Sequence, residues 1–294
     1  MRSPEDPTQP IDPSLGKVQP RQIVNASWGW RGVPLSDFFA WSAAHCFRWV
    51  EVNGHPLSPA HLLDAEDLAL LPRIKSWAEE AAVSIVCVAG RNDFTGADPQ
   101  AHRRQIARAQ FFVDAARALG ASFVRLLSGG HSVDPLPPEV FPRLQQAFTE
   151  IGCYAEERGV QIVIENHGGP TATGQRIARI MEGVKSPAVG LNYDPANFLF
   201  QGTDPLTALR YTLPWVKYSH WKDVRWAADG PALCAFGEGE IQWEPIVQTL
   251  LDAGFEGPWG VEYEEPSDVA RGTLVSLANL RALVGRADRP SPTA

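Results

Sequence analysis

The sequence predicts an α/β chain folded as a single (β/α)8 TIM barrel. Eight short apolar runs alternate with longer amphipathic stretches from about Gln22 to Gly285. The runs are rich in Val and Ile and often apolar on both faces, as suits parallel strands buried on both sides. No G-x-G-x-x-G follows the first run, which argues against an open doubly wound sheet.

The expected strands are Gln22–Ala26, Arg48–Val52, Ser84–Val88, Ser122–Leu127, Gln161–Ile164, Val189–Tyr193, Val216–Ser219 and Trp259–Val261. Helical spacing of apolar residues predicts helices over Pro99–Leu119, Pro138–Arg158 and Asp268–Val284. Leu119-Gly120, Arg158-Gly159 and Ala253-Gly254 read as helix stops. Ser36, Ser58, Asp98, Thr173 and Asp204 read as N-caps.

Composition agrees with a large folded core. The chain has 294 residues, 44% hydrophobic, with 10 Trp and 13 Phe, which excludes a disordered chain. The net charge of −8, without a basic stripe, opposes nucleic-acid binding. Pro4, Pro7, Pro10, Pro13 and Pro20 punctuate the start, which lacks a signal peptide's apolar region. Residues 1–20 are therefore expected to be a flexible leader, 21–285 the barrel and 286–294 a flexible tail. No run of 18 apolar residues occurs, so no membrane span is expected. The four cysteines are scattered without a C-x-x-C pair. Cys87 reads as a buried small hydrophobe, and a reducing cytoplasmic compartment is expected.

Barrel chemistry sits where the strands end. The fifth strand runs into Glu165-Asn166-His167-Gly168-Gly169, and the sixth into Asp194-Pro195-Ala196-Asn197. The seventh runs into His220-Trp221-Lys222-Asp223, and the eighth into Glu262-Tyr263. Consecutive strands thus deliver Glu165, Asp194, His220 and Glu262 to one rim. Three carboxylates and an imidazole repel or titrate unless a cation joins them. One divalent metal ion is expected, and Mn, Mg, Co and Zn all suit this donor set. Such an ion polarises a carbonyl and stabilises an enediolate.

Ile164-Glu165-Asn166-His167-Gly168, Asn192-Tyr193-Asp194-Pro195-Ala196-Asn197, His220-Trp221-Lys222-Asp223 and Gly237-Glu238-Gly239 before Gly260-Val261-Glu262 together resemble the xylose-isomerase-like TIM-barrel family. The resemblance spans essentially Gln22 to Val284. It implies that Glu165, Asp194, His220 and Glu262 hold the metal. It also implies that Glu165 and Glu262 exchange a proton beside a substrate carbonyl. The implied activity is a sugar isomerase or epimerase, with a lyase or dehydratase of a keto-sugar or inosose as the alternative. A non-catalytic barrel subunit is a more remote alternative. The implied partner is a small sugar or polyol ketone, and such barrels often form homo-oligomers.

One position departs from the pattern. Many relatives carry His three residues after the sixth-strand Asp, whereas this chain has Asn197, which can bind a hydroxyl but cannot act as a general acid. The extra histidines of a three-zinc abasic-site nuclease are also missing. Further substrate contacts are expected at His167, Lys222, Arg225, Glu51, Asn92 and Trp28, with His131 as a weaker candidate. Trp28, Trp30, Phe198, Phe200, Trp221 and Trp226 are expected to contribute an aromatic wall.

Overall fold

The structure is a computed structural model and describes residues 22–130, 135–228 and 230–287. The expected leader and His131 lie outside those residues. So do residues 288–294 of the expected tail.

Eight parallel strands close into a barrel in the order β1-β10-β7-β6-β5-β4-β3-β2. They are β1 Ile23–Ala26, β2 Trp49–Asn53, β3 Ser84–Ala89, β4 Phe123–Leu126, β5 Gln161–Glu165, β6 Val189–Tyr193, β7 Val216–Trp221 and β10 Trp259–Val261. All eight expected runs form strands. β5 extends one residue further to include Glu165, and β7 two further to include His220 and Trp221.

Between β7 and β10 the chain adds an antiparallel hairpin, β8 Asp223–Ala227 with β9 Gly230–Cys234. None of the expected strands covers it. Much of it is exposed or half-buried, so it lacks the apolar density of the barrel strands.

The helices surround the barrel. They are α1 Leu35–Ala44, α2 Leu71–Glu80, α3 Pro99–Leu119, α4 Val140–Glu156, α5 Gly174–Gly183, α6 Pro195–Phe200, α7 Pro205–Thr212, α8 Trp243–Asp252 and α9 Val269–Ala287. α3 has the expected bounds, and Asp98 caps it by accepting the N–H groups of Gln100 and Ala101. Thr173 and Asp204 cap α5 and α7 as expected. Ser36 does not cap α1, which already begins at Leu35 after Pro34. Ser58 precedes only a short 3-10 turn, and its hydroxyl donates to His55 O. α9 continues to Ala287, two residues into the stretch expected to fray.

Two apolar clusters hold the fold. The larger lies between strands and helices. The smaller plugs the barrel interior with Val24, Val86, Cys87, Val163 and Tyr218, against Trp49 and Phe123. Side chains two residues apart on a strand share a face. One step of two from Trp49, Phe123, Val163 and Tyr218 reaches Glu51, Arg125, Glu165 and His220. A polar layer therefore sits directly on the apolar plug, all of it buried. Gly260 gives this layer room: a Cβ there would lie 2.8 Å from His220 Cδ2.

Candidate metal centre and active site

The four expected rim residues converge. Glu165, Asp194, His220 and Glu262 each offer a ligand atom, and these atoms lie within 4.8 Å of one another. His220 Nδ1 is 2.9 Å from Glu165 Oε1 and 3.2 Å from Glu262 Oε2.

Local structure fixes each group. Asp194 N-caps α6, where Oδ1 accepts the Asn197 N–H at 3.1 Å, and Pro195 occupies the first turn. Asn166 clamps the Asp194 backbone with bonds of 2.8 and 2.7 Å. The cap leaves Oδ2 facing the cluster, 2.7 Å from Lys222 Nζ. Asp194 is thus both helix cap and cluster member. His220 is held from behind, because Glu51 Oε2 lies 3.1 Å from Nε2. That carboxylate–imidazole pairing leaves Nδ1 facing Glu165 and Glu262 in the cluster. Tyr218 packs edge-on against the His220 ring from the plug below.

Charge balance explains the titration behaviour. Burial favours a neutral His220, but Glu262 and Glu51, with hydrogen bonds to Glu165 and Glu262, push its pKa well above the usual histidine value. Burial raises Glu262, yet His220 and Lys222 override it and hold the group at about 2. Burial likewise raises Glu165, but Arg125 and His220 hold it well below the usual carboxylate value. Burial opposes the Lys222 charge, but Asp194, Glu262 and Glu264 keep it protonated. Asp194 goes the other way. Burial, with Glu165 and Glu262 adding repulsion against Lys222, raises it to about 6. The cluster therefore carries more negative charge than its own cations neutralise. Three hard oxygen donors, one imidazole nitrogen and that residual charge fit a divalent cation.

Two cavities open above the cluster. An inner lobe of about 290 Å³ is lined by residues that include Trp28, Asn53, Asn92, Arg125, Glu165 and Glu262. An outer lobe of about 270 Å³ is lined by Asn197, Phe200, Gln201 and Leu233. His167, Lys222 and Glu264 line both.

Of the expected substrate contacts, His167, Asn197, Lys222, Asn92 and Trp28 line these lobes. Asn92 is committed to the scaffold, since its amide bonds Leu127 O at 2.5 Å and Leu127 N at 2.8 Å. Glu51 lines neither lobe and is fully buried beneath His220. Arg225 lies exposed on the hairpin, outside both lobes. The aromatic wall reduces to Trp28 and Phe200. Trp30 packs on Trp41 and Phe38, Trp221 stacks on Trp259 at 4.8 Å, Phe198 is buried, and Trp226 is exposed.

Three contributors were not expected. Arg125 Nε lies 3.4 Å from Glu165 Oε2, and Asn53 accepts a bond from the Arg125 guanidinium. Glu264 Oε1 is 2.5 Å from Lys222 Nζ, while its Oε2 accepts Trp28 Nε1–H. A charged residue inside the run Phe-Val-Arg-Leu signals Arg125. The two-residue step from Glu262 signals Glu264.

Asp223 has a structural role. It accepts from the backbone N–H groups of Val224, Ile241 and Gly237 and from Trp243 Nε1–H. A Cβ at Gly239 would lie 2.2 Å from Asp223 Oδ1, so the Gly-x-Gly segment packs directly on this carboxylate.

The family model described as "Xylose isomerase-like TIM barrel" matches residues 39–283. The chain belongs to that family. Curated relatives include inosose dehydratases from Bacillus thuringiensis (strain Al Hakam), 26% identical over 180 residues, and Clostridium perfringens (strain 13 / Type A), 27% over 185. These matches cover 52% and 53% of this chain and 60% and 62% of the relatives, so the chain spans about three fifths of their length. Solved structures with the same fold include an IOLI protein with a bound zinc atom, at TM-score 0.76 and 16% identity, covering 92% of this chain and all of that one. A xylose isomerase-like TIM barrel protein from Mycobacterium smegmatis in complex with magnesium gives TM-score 0.74 and 16% identity, covering 91% and 98%. Among the described residues, no helix is long and apolar enough to cross a membrane.

Proposed function

We propose that the chain is a divalent-metal-dependent enzyme that moves a proton next to the carbonyl of a sugar or polyol ketone, with isomerisation or epimerisation as the outcome. One observation carries the reading: Glu165 and Glu262 meet at the same histidine nitrogen, 2.9 and 3.2 Å away, inside a four-donor cluster. We assign the cation to Glu165, Asp194, His220 and Glu262, as part of one barrel domain over residues 21–285. When bound, the ion supplies Lewis acidity, polarising the carbonyl and offsetting the negative charge that develops on it.

The protein's own groups do the rest. One glutamate takes the proton from the carbon beside the carbonyl, leaving an enediolate. For isomerisation the first glutamate, now protonated, returns the proton to the adjacent carbon while the neighbouring hydroxyl proton passes to the former carbonyl oxygen; for epimerisation the second glutamate, protonated from solvent, delivers a proton to the opposite face of the same carbon. Arg125 orients Glu165, and Lys222 presents an ammonium to the substrate oxygens. His167 contacts hydroxyls where the two lobes meet, and Asn197 faces the outer lobe beyond it.

Dehydration is the second reading. The glutamate that takes the proton beside the carbonyl can pass it to a departing β-hydroxyl, which leaves as water, and the curated relatives above are named inosose dehydratases. Incubation with fructose, psicose and scyllo-inosose in D2O, with metal added, tests both. Deuterium at the carbon beside the carbonyl supports the shared first step. Product mass then separates isomer from dehydrated product. Absence of exchange with every ketone, in protein shown to hold metal, would overturn the proposal.

A further inference from the structure

We infer that the substrate is a two-part molecule: a polyol ketone ring in the inner lobe joined to an uncharged, ring-sized group in the outer lobe. The inference rests on the proton-transfer reading above and extends it to the class of substrate.

The lobes have similar volumes, about 290 and 270 Å³, and meet at Lys222, His167 and Glu264. Ligand pockets enclose most of a small ligand's surface. A lone sugar ring held over Glu165 and Glu262 leaves the outer lobe without ligand atoms. The two lobes also differ in chemistry. The inner one carries the charged and amide groups that suit a polyol. The outer one places Phe200 and Leu233 around Asn197 and Gln201 and, among the described residues, has no charged residue of its own beyond the shared boundary. Apolar side chains there match the C–H face of a second sugar or an aryl ring.

Two features show that the outer lobe is built in. Its Leu233 wall belongs to the β8–β9 hairpin, whose first residue, Asp223, accepts from the Gly237 and Ile241 N–H groups and from Trp243 Nε1–H and so ties the hairpin to the segment leading into α8. Asn197 is 8% exposed, and its Nδ2 makes no hydrogen bond within the described residues. A buried amide nitrogen left unpaired is uncommon. Here it can turn to a ligand oxygen without breaking a bond in the protein.

The test uses glucosides without a carbonyl, so binding is read apart from turnover. Calorimetric titration of the full chain, in excess Mn²⁺, compares methyl β-D-glucopyranoside with phenyl β-D-glucopyranoside. The phenyl glucoside is expected to bind about tenfold tighter, from the apolar surface it buries. Leu233→Arg should abolish that advantage and leave the methyl glucoside unchanged. Phe200→Ala should reduce the advantage and serves as the second variant should the hairpin fail to tolerate Arg. Equal affinity for the two glucosides, or an advantage that survives both variants, overturns the inference. Failure of the phenyl glucoside to bind also overturns it. The proton-transfer reading is then judged separately by its deuterium exchange.

Discussion

Replacing Glu51 with Gln tests the role of the buried carboxylate behind His220. Glu51 is fully buried, with Oε2 3.1 Å from His220 Nε2. Gln keeps the volume and an oxygen that accepts the Nε2–H, so the barrel should fold. What is lost is the negative charge that makes Nδ1 a stronger donor. Partners behind a metal-bound histidine are worth about 10–100-fold in metal affinity, or about 1.4–2.7 kcal/mol. The retained hydrogen bond places Glu51→Gln toward the lower end, roughly 10–30-fold. Glu51 also raises the proton affinity of His220, so at neutral pH the variant suffers less proton competition. The loss should therefore be measured at alkaline pH, by titration against a zinc-binding fluorescent chelator, with circular dichroism as the folding control. Affinity within twofold of wild type at alkaline pH, with an unchanged spectrum, would refute the orienting role.

Three further outcomes follow from the same geometry. Glu262 is depressed from 4.5 to about 2, so its contribution to stability is present above pH 4.5 and lost as pH falls through 2. Its share is about 3 kcal/mol, and Asp194, raised to about 6, acts with the opposite sign between pH 3.8 and 6. Urea unfolding of the metal-free protein should show the acid limb, and Glu262→Gln should flatten it; an unchanged limb contradicts the assignment. Metal uptake should displace the His220 proton, so affinity should rise about tenfold per pH unit across neutrality. Buffers of differing ionisation enthalpy would expose that proton, and a buffer-independent heat would argue against it. Asp223→Ala removes four hydrogen bonds around a buried carboxylate and should cost about 3 kcal/mol or more; an unchanged melting temperature would contradict its anchoring role.

Much of this architecture could be read in the chain because barrel strands carry a dense apolar signal and end abruptly in polar residues. Glu165, Asp194, His220 and Glu262 stood out for that reason. Arg125 and Glu264 did not, although each lies two residues from a neighbour on the same face. Their roles appear only when the two-residue alternation is laid across several strands at once. Glu51 was visible as a strand-end acid, but its partner is 169 residues away, so the sequence could not separate a substrate contact from a support for His220. The hairpin was missed because its stability comes from Asp223 and packing on α6, not from an alternating pattern of its own. The loop tryptophans show the same ambiguity. Trp28 and Trp30 are two residues apart, yet one lines the inner lobe and the other joins the core, a choice made by α1 packing on Trp30.

Glu165, Asp194, His220 and Glu262 together should hold one divalent cation. Elemental analysis of the purified protein after mild dialysis, beside Glu262→Ala, tests it most directly. About one Mn, Co, Zn or Mg per wild-type chain is expected, with that metal lost in the variant and both proteins folded. No metal in wild type, and none taken up on titration, would contradict it.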